Sequence, residues 1–191
     1  EFNSVRKHLS RIKGGKLVKN MQSDGCALIM SDVLTNNLSV ISSGCTYNDN
    51  TTFSDAIKVI TKYSLTKKLP KKVIAHLKHG LKEQVVQPKR LKVKNEIIAT
   101  NLDCLNTMAM KAKSLGISTK IYSSVNDDVS TSAQKIVKMI KSSRKSCIIF
   151  GGESTVHVKG NGKGGRNQEL VLQILKRIQN LDQNVLVSSI S

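Results

Sequence analysis

The chain has 191 residues, of which 39% are apolar and 3% aromatic, and its formal net charge is +18. It is long enough for one large domain or parts of two, and it lacks both a signal-peptide pattern and an apolar run of the roughly 18 residues that a membrane span needs, so we expect a cytoplasmic protein. The charge would suit nucleic acid, but the scarcity of aromatic platforms and the dispersal of the lysines over predicted helix faces favour a solvated basic face or an anionic small substrate.

The first predicted elements are short strands followed by a helix. Residues 26–33 and 38–44 are short apolar runs ending in polar turns, which is typical of buried strands. Residues 51–64 carry apolar side chains at helical spacing. One of the two threonines at its start is the expected N-cap, with an aspartate in the first turn.

A second helix and a candidate boundary follow. Pro70 is expected to start this helix, and Gly80 to lie near its end. The next segment, 83–94, has no periodicity and contains Pro88. The sequence therefore places the best candidate for a domain boundary there.

The second half alternates regularly between strands and helices. The predicted strands are 95–100, 118–124, 146–152, 154–160 and 184–191, and the predicted helices are 102–116, 130–143 and 166–180. This alternation predicts an α/β fold with a mainly parallel sheet. In such sheets ligands bind beyond the carboxyl ends of the strands.

The cysteines do not form a metal or redox motif. The chain has four cysteines that lie far apart in sequence: Cys26, Cys45, Cys104 and Cys147. They include no CxxC pair, and their spacing relative to the four histidines does not match a zinc-binding pattern. We therefore expect four reduced and largely buried thiols.

The loop GNGKGGR, residues 160–166, resembles two common nucleotide-binding motifs, but its sequence matches neither of them well. Gly160, Gly162 and Gly165 match the dinucleotide pattern GxGxxG. However, apolar and polar residues alternate in the preceding segment, whereas a dinucleotide fold usually has a strand buried on both faces there. The ribose-binding acid should also lie at the end of the next strand, and Asp182 precedes that strand. A Walker loop is excluded because Arg166 and Asn167 replace its Lys-Ser/Thr pair.

A third interpretation of this loop is a different phosphate site. Glycines let backbone N–H groups turn toward an anion, and Lys163 and Arg166 add positive charge. Arg166 also stands at the start of a predicted helix, where its planar fork could bind phosphate bidentately. A flexible surface hairpin remains the alternative.

The wider sequence resembles class II glycerate kinases that carry a MOFRL domain. GGESTV followed by GNGKGGRNQEL is similar to the MOFRL signature. NSVRKHLSRIKGGKL, SDV, VISSGCT and NDNTTFSDA resemble blocks of the family that come earlier and in the same order, and NEIIATNLDCLNTMAMKAKSLG resembles the start of the MOFRL part. The resemblance runs over essentially the whole chain.

The resemblance implies two α/β domains with the active site in the cleft between them. Residues 1–88 would be the C-terminal part of a Rossmann-like domain, and 92–191 a truncated MOFRL domain. The implied reaction is phosphorylation of D-glycerate by ATP to 2-phosphoglycerate with Mg²⁺, without a nucleic-acid or membrane partner. The oligomeric state is left open.

The resemblance also suggests roles for individual residues. Arg166 would stabilise phosphate or transition-state charge, Asp32 would ligate metal or accept the substrate's hydroxyl proton, and Glu153 would hold metal-bound water or orient a ligand. Structural alternatives are an Asx turn at Asp32, a hydrogen bond at Glu153 and simple packing of His8. The remaining candidates for substrate or nucleotide binding are His8, Lys13, Ser43, Gly44, Thr46, Gly162, Lys163, Gly164, Gly165 and Asn167.

The chain departs from the family pattern at several places. Thr35, Asn36 and Asn37 stand where Gly-Asp-Asp is common, which removes two carboxylates from a candidate metal turn, and Cys45 replaces a proline. Val86-Gln87-Pro88 lacks the usual acidic residue. The family's N-terminal half with its catalytic lysine and its Thr-Asp-Gly-x-Asp-Gly segment are also missing. We therefore expect a fragment that is inactive alone.

Two other functions stay open at this point. A hydroxypyruvate reductase using NAD(P) would fit the GxGxxG spacing superficially, and a basic nucleic-acid-binding protein would fit the charge. ADP release with glycerate, NADH oxidation with hydroxypyruvate, and salt-sensitive RNA retention distinguish the three.

Overall fold

The computed structural model describes residues 1–33, 35–82, 91–182 and 184–190. The chain divides into two compact units, Glu1–Thr100 and Asn101–Ser191. Both units contain parallel strand pairs together with helices, so the predicted α/β class is confirmed. Most of the predicted boundary segment, including Pro88 and the departure at 86–88, lies outside the described residues.

The described residues of the first unit form α-helices and a pair of parallel strands. Its elements are α1 (Phe2–Leu9), β1 (Gly25–Ser31), α2 (Phe53–Lys62), α3 (Lys71–Lys82) and β2 (Val93–Thr100). β1 and β2 pair from Gly25↔Val93 to Ser31↔Thr100, with a register shift after Ile29. β2 is hydrogen-bonded along β1 and belongs to the same compact unit, which ends at Thr100.

Capping and packing explain the helices of this unit. The Thr52 hydroxyl oxygen accepts a hydrogen bond from the Asp55 N–H, and the Thr52 N–H donates one to the Asp55 carboxylate, so the predicted threonine cap is a full capping box. Ala56, Ile60 and Leu77 form the core between α2 and α3. A Cβ at Gly80 would lie 2.3 Å from the Phe53 ring, so this glycine allows close helix packing.

The predicted strand at 38–44 is wrong. This segment forms turns and a short 3₁₀ helix at Ile41–Ser43. Ser42, Ser43 and Gly44 have φ values of 50°, 59° and 64°, which no β-strand adopts. A short apolar run does not by itself reveal backbone handedness, and here only Ile41 of the apolar residues is fully buried.

The second unit repeats the alternation of helices and strands. Its elements are α4 (Asn101–Ser114), β3 (Ser118–Tyr122), α5 (Val129–Lys141), β4 (Ser146–Phe150) and α6 (Arg166–Ile178). β3 and β4 are parallel, from Ser118↔Ser146 to Tyr122↔Phe150. One core lies between α5 and α6, and a second packs α4 on Ile149 of β4.

Two predicted strands of this unit do not form. Within 154–160 a single bridge joins Thr155 to Asp128, and residues 184–190 belong to no described strand. Alternating apolar side chains favour a strand only where a neighbouring strand can accept the backbone hydrogen bonds. Val158 and Leu186 are instead 85% and 96% exposed.

The cysteines are free, as predicted, but the expected burial is wrong. Cys26 and Cys104 are exposed, while Cys45 and Cys147 are half-buried. Cys26 lies on the outward side of β1, where alternate residues are exposed, and an apolar neighbourhood in sequence does not distinguish the two sides. In the part of the chain that the structure describes, no helix is long and apolar enough to span a membrane.

Candidate active site

In the second unit, the C-terminal end of the glycine-rich loop borders a cavity of about 710 Å³. Its lining comes from residues 154–156 and 164–168. Arg166 is the first residue of α6, and the N-cap Gly165 has no side chain to satisfy the first-turn N–H groups. The N-terminus of α6 and the guanidinium of Arg166 therefore lie at the cavity, and together they form an arrangement that favours binding of an anion.

An ion pair joins the two charged candidates of this unit. Arg166 Nη2 contacts Glu153 Oε1, and the two side chains are 45% and 57% exposed. The structure thus brings together Arg166 and Glu153, which are separated in sequence by the whole loop. Gly164, Gly165 and Asn167 share the cavity wall with Arg166, whereas Gly162 and Lys163 are exposed in the loop outside that wall.

The backbone before Glu153 is fixed by its neighbours. Gly152 has φ +132°, and a Cβ there would lie 2.5 Å from the Val125 carbonyl oxygen, so the position requires glycine. The Glu153 N–H donates to Asn126 Oδ1 at 3.2 Å, and Asn126 Nδ2 donates to Ser124 Oγ at 2.9 Å. Asn126 was not among the sequence candidates, because an asparagine between a strand and a helix is unremarkable by pattern.

In the first unit, two turns with left-handed residues bind each other through their backbones. The Gly14 N–H donates to the Ser43 carbonyl at 3.1 Å, and the Gly15 N–H donates to the Gly44 carbonyl at 2.7 Å. Lys13 Nζ donates to the Ser42 carbonyl at 3.1 Å. Lys13, Ser43 and Gly44 are therefore brought together, and Lys13 reaches the turn from its exposed side.

Two hydroxyl candidates of this unit are used internally. Ser43 is buried, and its hydroxyl donates to Asn3 Oδ1 at 3.0 Å. The Thr46 hydroxyl bonds to Asn95 Oδ1, and Asn95 Nδ2 donates to the Thr46 carbonyl at 3.1 Å. These bonds hold the turn in shape.

His8 occupies a packed position, while Asp32 is exposed. His8 Nδ1 lies 2.7 Å from the Ser4 carbonyl oxygen, and the ring meets Phe53 edge-on at 4.5 Å between centroids. Asp32 follows β1 directly and faces solvent. Sequence reasoning singled out His8 in this block and overlooked Asp49, whose buried carboxylate pairs with Lys7.

Lys16 is a half-buried cation near these turns. Its ammonium donates to the carbonyl oxygens of Lys7 at 2.6 Å and of Ser10 at 3.0 Å. Burial lowers the pKa of Lys16, and the charge of Asp49 acts in the opposite direction. The contacts of Lys16 secure the end of α1 against the following turn.

A preformed metal cage is absent from the described residues. Nowhere among them do three or more His, Cys, Asp or Glu side chains come together as a possible metal site. Asp32 belongs to no such group, and Thr35, Asn36 and Asn37 add no charge to the segment that follows it. Such a donor set fits only a Mg²⁺ ion that keeps most of its waters and binds substrate phosphates.

Two family models match the chain: a domain of unknown function, DUF4147, over residues 1–78, and the MOFRL family over residues 146–191, which include the whole glycine-rich loop. A glycerate 2-kinase of Pyrococcus horikoshii is 36% identical over 95% of this chain and 44% of that protein. A D-glycerate 2-kinase of Thermotoga maritima is 34% identical over 99% of this chain and 46% of that protein. The chain belongs to the class II glycerate kinase family.

Solved structures of the family agree with this assignment. A crystal structure of a glycerate kinase from Thermotoga maritima superposes with a TM-score of 0.72 at 32% identity, covering 94% of this chain and 44% of that chain. This chain therefore spans less than half the length of these Pyrococcus horikoshii and Thermotoga maritima proteins.

Proposed function

We propose that this chain supplies part of an ATP-dependent D-glycerate 2-kinase. The proposal rests on the position of Arg166. This residue lies at the N-terminus of α6, on the wall of the loop cavity, with Gly164 and Gly165 beside it. Family membership gives this anion site its reaction class. The γ-phosphoryl group would leave ADP and bond to the 2-hydroxyl oxygen of glycerate, which loses its proton.

Each candidate residue has a physical role in this reaction. Phosphoryl transfer needs mostly positioning and charge neutralisation, which Arg166 and the N–H groups of Gly165 and Asn167 would provide. Asp32 is the exposed carboxylate that would accept the hydroxyl proton or serve as the protein ligand of Mg²⁺. Bound Mg²⁺ would neutralise phosphate charge.

The finer assignments belong to the same proposal. We propose that residues 1–88 belong to the Rossmann-like domain and 92–191 to the MOFRL domain, and that the protein acts in the cytoplasm on small molecules. Gly44 and Thr46 would serve substrate binding through their turn, and Lys13 would do so from the exposed side of that turn. His8 and Ser43 would support that turn from their buried positions.

The decisive experiment is a chimera that carries the missing part of the enzyme. In the Thermotoga maritima D-glycerate 2-kinase, the segment that matches this chain is replaced by this chain, and ADP release is measured with ATP and D-glycerate. We expect glycerate-dependent ADP release. A folded chimera that binds ATP but releases no ADP would refute the proposal.

A second candidate activity comes from one relative. A putative hydroxypyruvate reductase of Agrobacterium vitis is 33% identical over 91% of this chain and 42% of that protein. The same chimera is therefore assayed for NADH oxidation with hydroxypyruvate. NADH oxidation without kinase activity would replace our proposal with the reductase.

A further inference from the structure

The carboxylate of Glu153 contacts the guanidinium of Arg166, which is the cation that a phosphate would need to bind. Both charged groups are about half exposed, and Arg166 stands on the cavity wall. A guanidinium binds one carboxylate or phosphate well with its planar fork, so two anions compete for it. In this structure the carboxylate of Glu153 is the anion that Arg166 binds.

The two partners differ in how firmly the chain holds them. The segment 151–155 is bonded to the end of β3 and to the loop that follows it: the Gly151 N–H donates to the Tyr122 carbonyl at 2.8 Å, and the Thr155 N–H donates to the Asp127 carbonyl at 3.1 Å. Asn126 anchors the Glu153 N–H between these two bonds. Arg166, in contrast, follows the exposed loop 157–165 and begins its helix.

We propose that Glu153 is a built-in, displaceable counter-ion of Arg166, and so a positioning residue that weakens anion binding and promotes anion release. The idea rests on the proposed phosphate role of the loop and deepens it. An incoming phosphate must break the ion pair and then bind near the freed carboxylate, which repels it. When the phosphate leaves, Glu153 takes the guanidinium back and returns it to the same place at the cavity.

The size of the effect follows from the exposure of the pair. A solvent-exposed ion pair contributes little, so breaking it should reduce anion affinity by about two- to five-fold. Salt screens the attraction within the pair and the repulsion between Glu153 and the phosphate. The effect should therefore shrink as ionic strength rises.

Pyrophosphate binding to the chain tests this proposal directly. Isothermal titration calorimetry is run with inorganic pyrophosphate on the unmodified chain and on Glu153→Gln, which removes the charge and keeps the side-chain shape. We expect Glu153→Gln to bind about two to five times more tightly, with slower dissociation. The gap should close as ionic strength increases from about 0.01 M to about 1 M, where the Debye length falls from roughly 30 Å to roughly 3 Å.

Glu169 offers a matched control on the same helix. It lies in the first turn of α6, and its carboxylate accepts a hydrogen bond from Gln173 Nε2 at 2.8 Å. Glu169→Gln changes the net charge by the same amount without removing the partner of Arg166. We expect a clearly smaller gain in pyrophosphate affinity from this variant.

The outcomes separate this inference from the proposed function. Equal pyrophosphate affinity in the unmodified chain and Glu153→Gln, or an equal gain in Glu169→Gln, would overturn the counter-ion role and leave the phosphate loop standing. Pyrophosphate binding that persists unchanged in Arg166→Ala would overturn the phosphate role of Arg166 itself, and the inference with it.

Discussion

Lys7 Nζ lies 3.2 Å from Asp49 Oδ1, and their side chains are only 5% and 2% exposed. Asp49 Oδ1 also accepts hydrogen bonds from the Thr51 N–H at 2.9 Å and the Thr51 hydroxyl at 2.7 Å. This pair ties α1 to the segment that leads into α2. It also lies beside the Gly14 turn, since a Cβ on Gly14 would be 3.0 Å from Asp49 Cβ.

Removing one partner of this pair should be costly. Asp49→Ala leaves the Lys7 ammonium buried without its counter-ion, and we expect the free energy of unfolding to fall by about 3–5 kcal/mol in denaturant titrations. Adding Lys7→Met should recover part of the loss because it removes the uncompensated charge. Glu96→Ala, which breaks the exposed Lys94–Glu96 contact, is the control and should change little. An equally small effect of Asp49→Ala would contradict the buried pair.

Two glycines of the second unit should differ in their role: one is needed for the fold, and the other for ligand binding. At Gly152 a Cβ would clash with the Val125 backbone, whereas at Gly165 no atom lies within 4 Å of a built Cβ and φ is −145°. We expect Gly152→Ala to lower the thermal midpoint clearly. Gly165→Ala should leave it nearly unchanged and weaken pyrophosphate binding, because the methyl group enters the ligand's space. Normal binding by a folded Gly165→Ala chain would remove Gly165 from the site.

Arg166 should matter for turnover far more than for folding. In the active chimera, Arg166→Ala should lower kcat by roughly 10²–10³-fold, the usual loss when one preorganised transition-state group is removed. Its half-exposed side chain predicts an unchanged circular dichroism spectrum. Arg144→Ala, an exposed arginine after α5, is the charge-matched control and should retain activity. Near-normal turnover in Arg166→Ala would exclude the residue from the mechanism.

Asp128 should make the second unit sensitive to acid. The carboxylate caps α5, and hydrogen bonds from the Thr131 hydroxyl and the Thr131 and Ser130 N–H groups lower the pKa of Asp128. A lowered folded-state pKa means that this stabilisation is complete above the ordinary aspartate pKa of about 3.9 and is lost as pH falls through the lower folded value.

The measurement for this cap is thermal unfolding between about pH 2 and pH 6. Asn also caps helices but carries no titrating charge, so Asp128→Asn should reduce the fall in melting temperature at the acid end while preserving α5. Asp24→Asn, at an exposed site outside any helix, controls for the change in net charge. Identical acid profiles for the unmodified chain and Asp128→Asn would show that the cap does not carry this pH dependence.

Local patterns were sufficient for much of the fold. The spacing of apolar residues in 51–64 and the adjacent Thr and Asp predicted α2 and its cap, because both depend on residues within one or two turns. The same reasoning failed at 38–44, where the left-handed backbone of Ser42 and Ser43 is held by bonds from the distant Gly14 and Gly15 turn.

The sequence alone determined the α/β class, the helices α2 to α6 and, through the motif around Arg166, the family. Those features depend on periodicity and on residues that are neighbours in the chain. Only the tertiary structure decided which charged side chains form ion pairs. It shows that Asp49 forms a buried pair with Lys7, and that Glu153 contacts Arg166 across the glycine-rich loop. These pairings depend on how distant segments are brought together by strand pairing and backbone bonds, which no local pattern specifies.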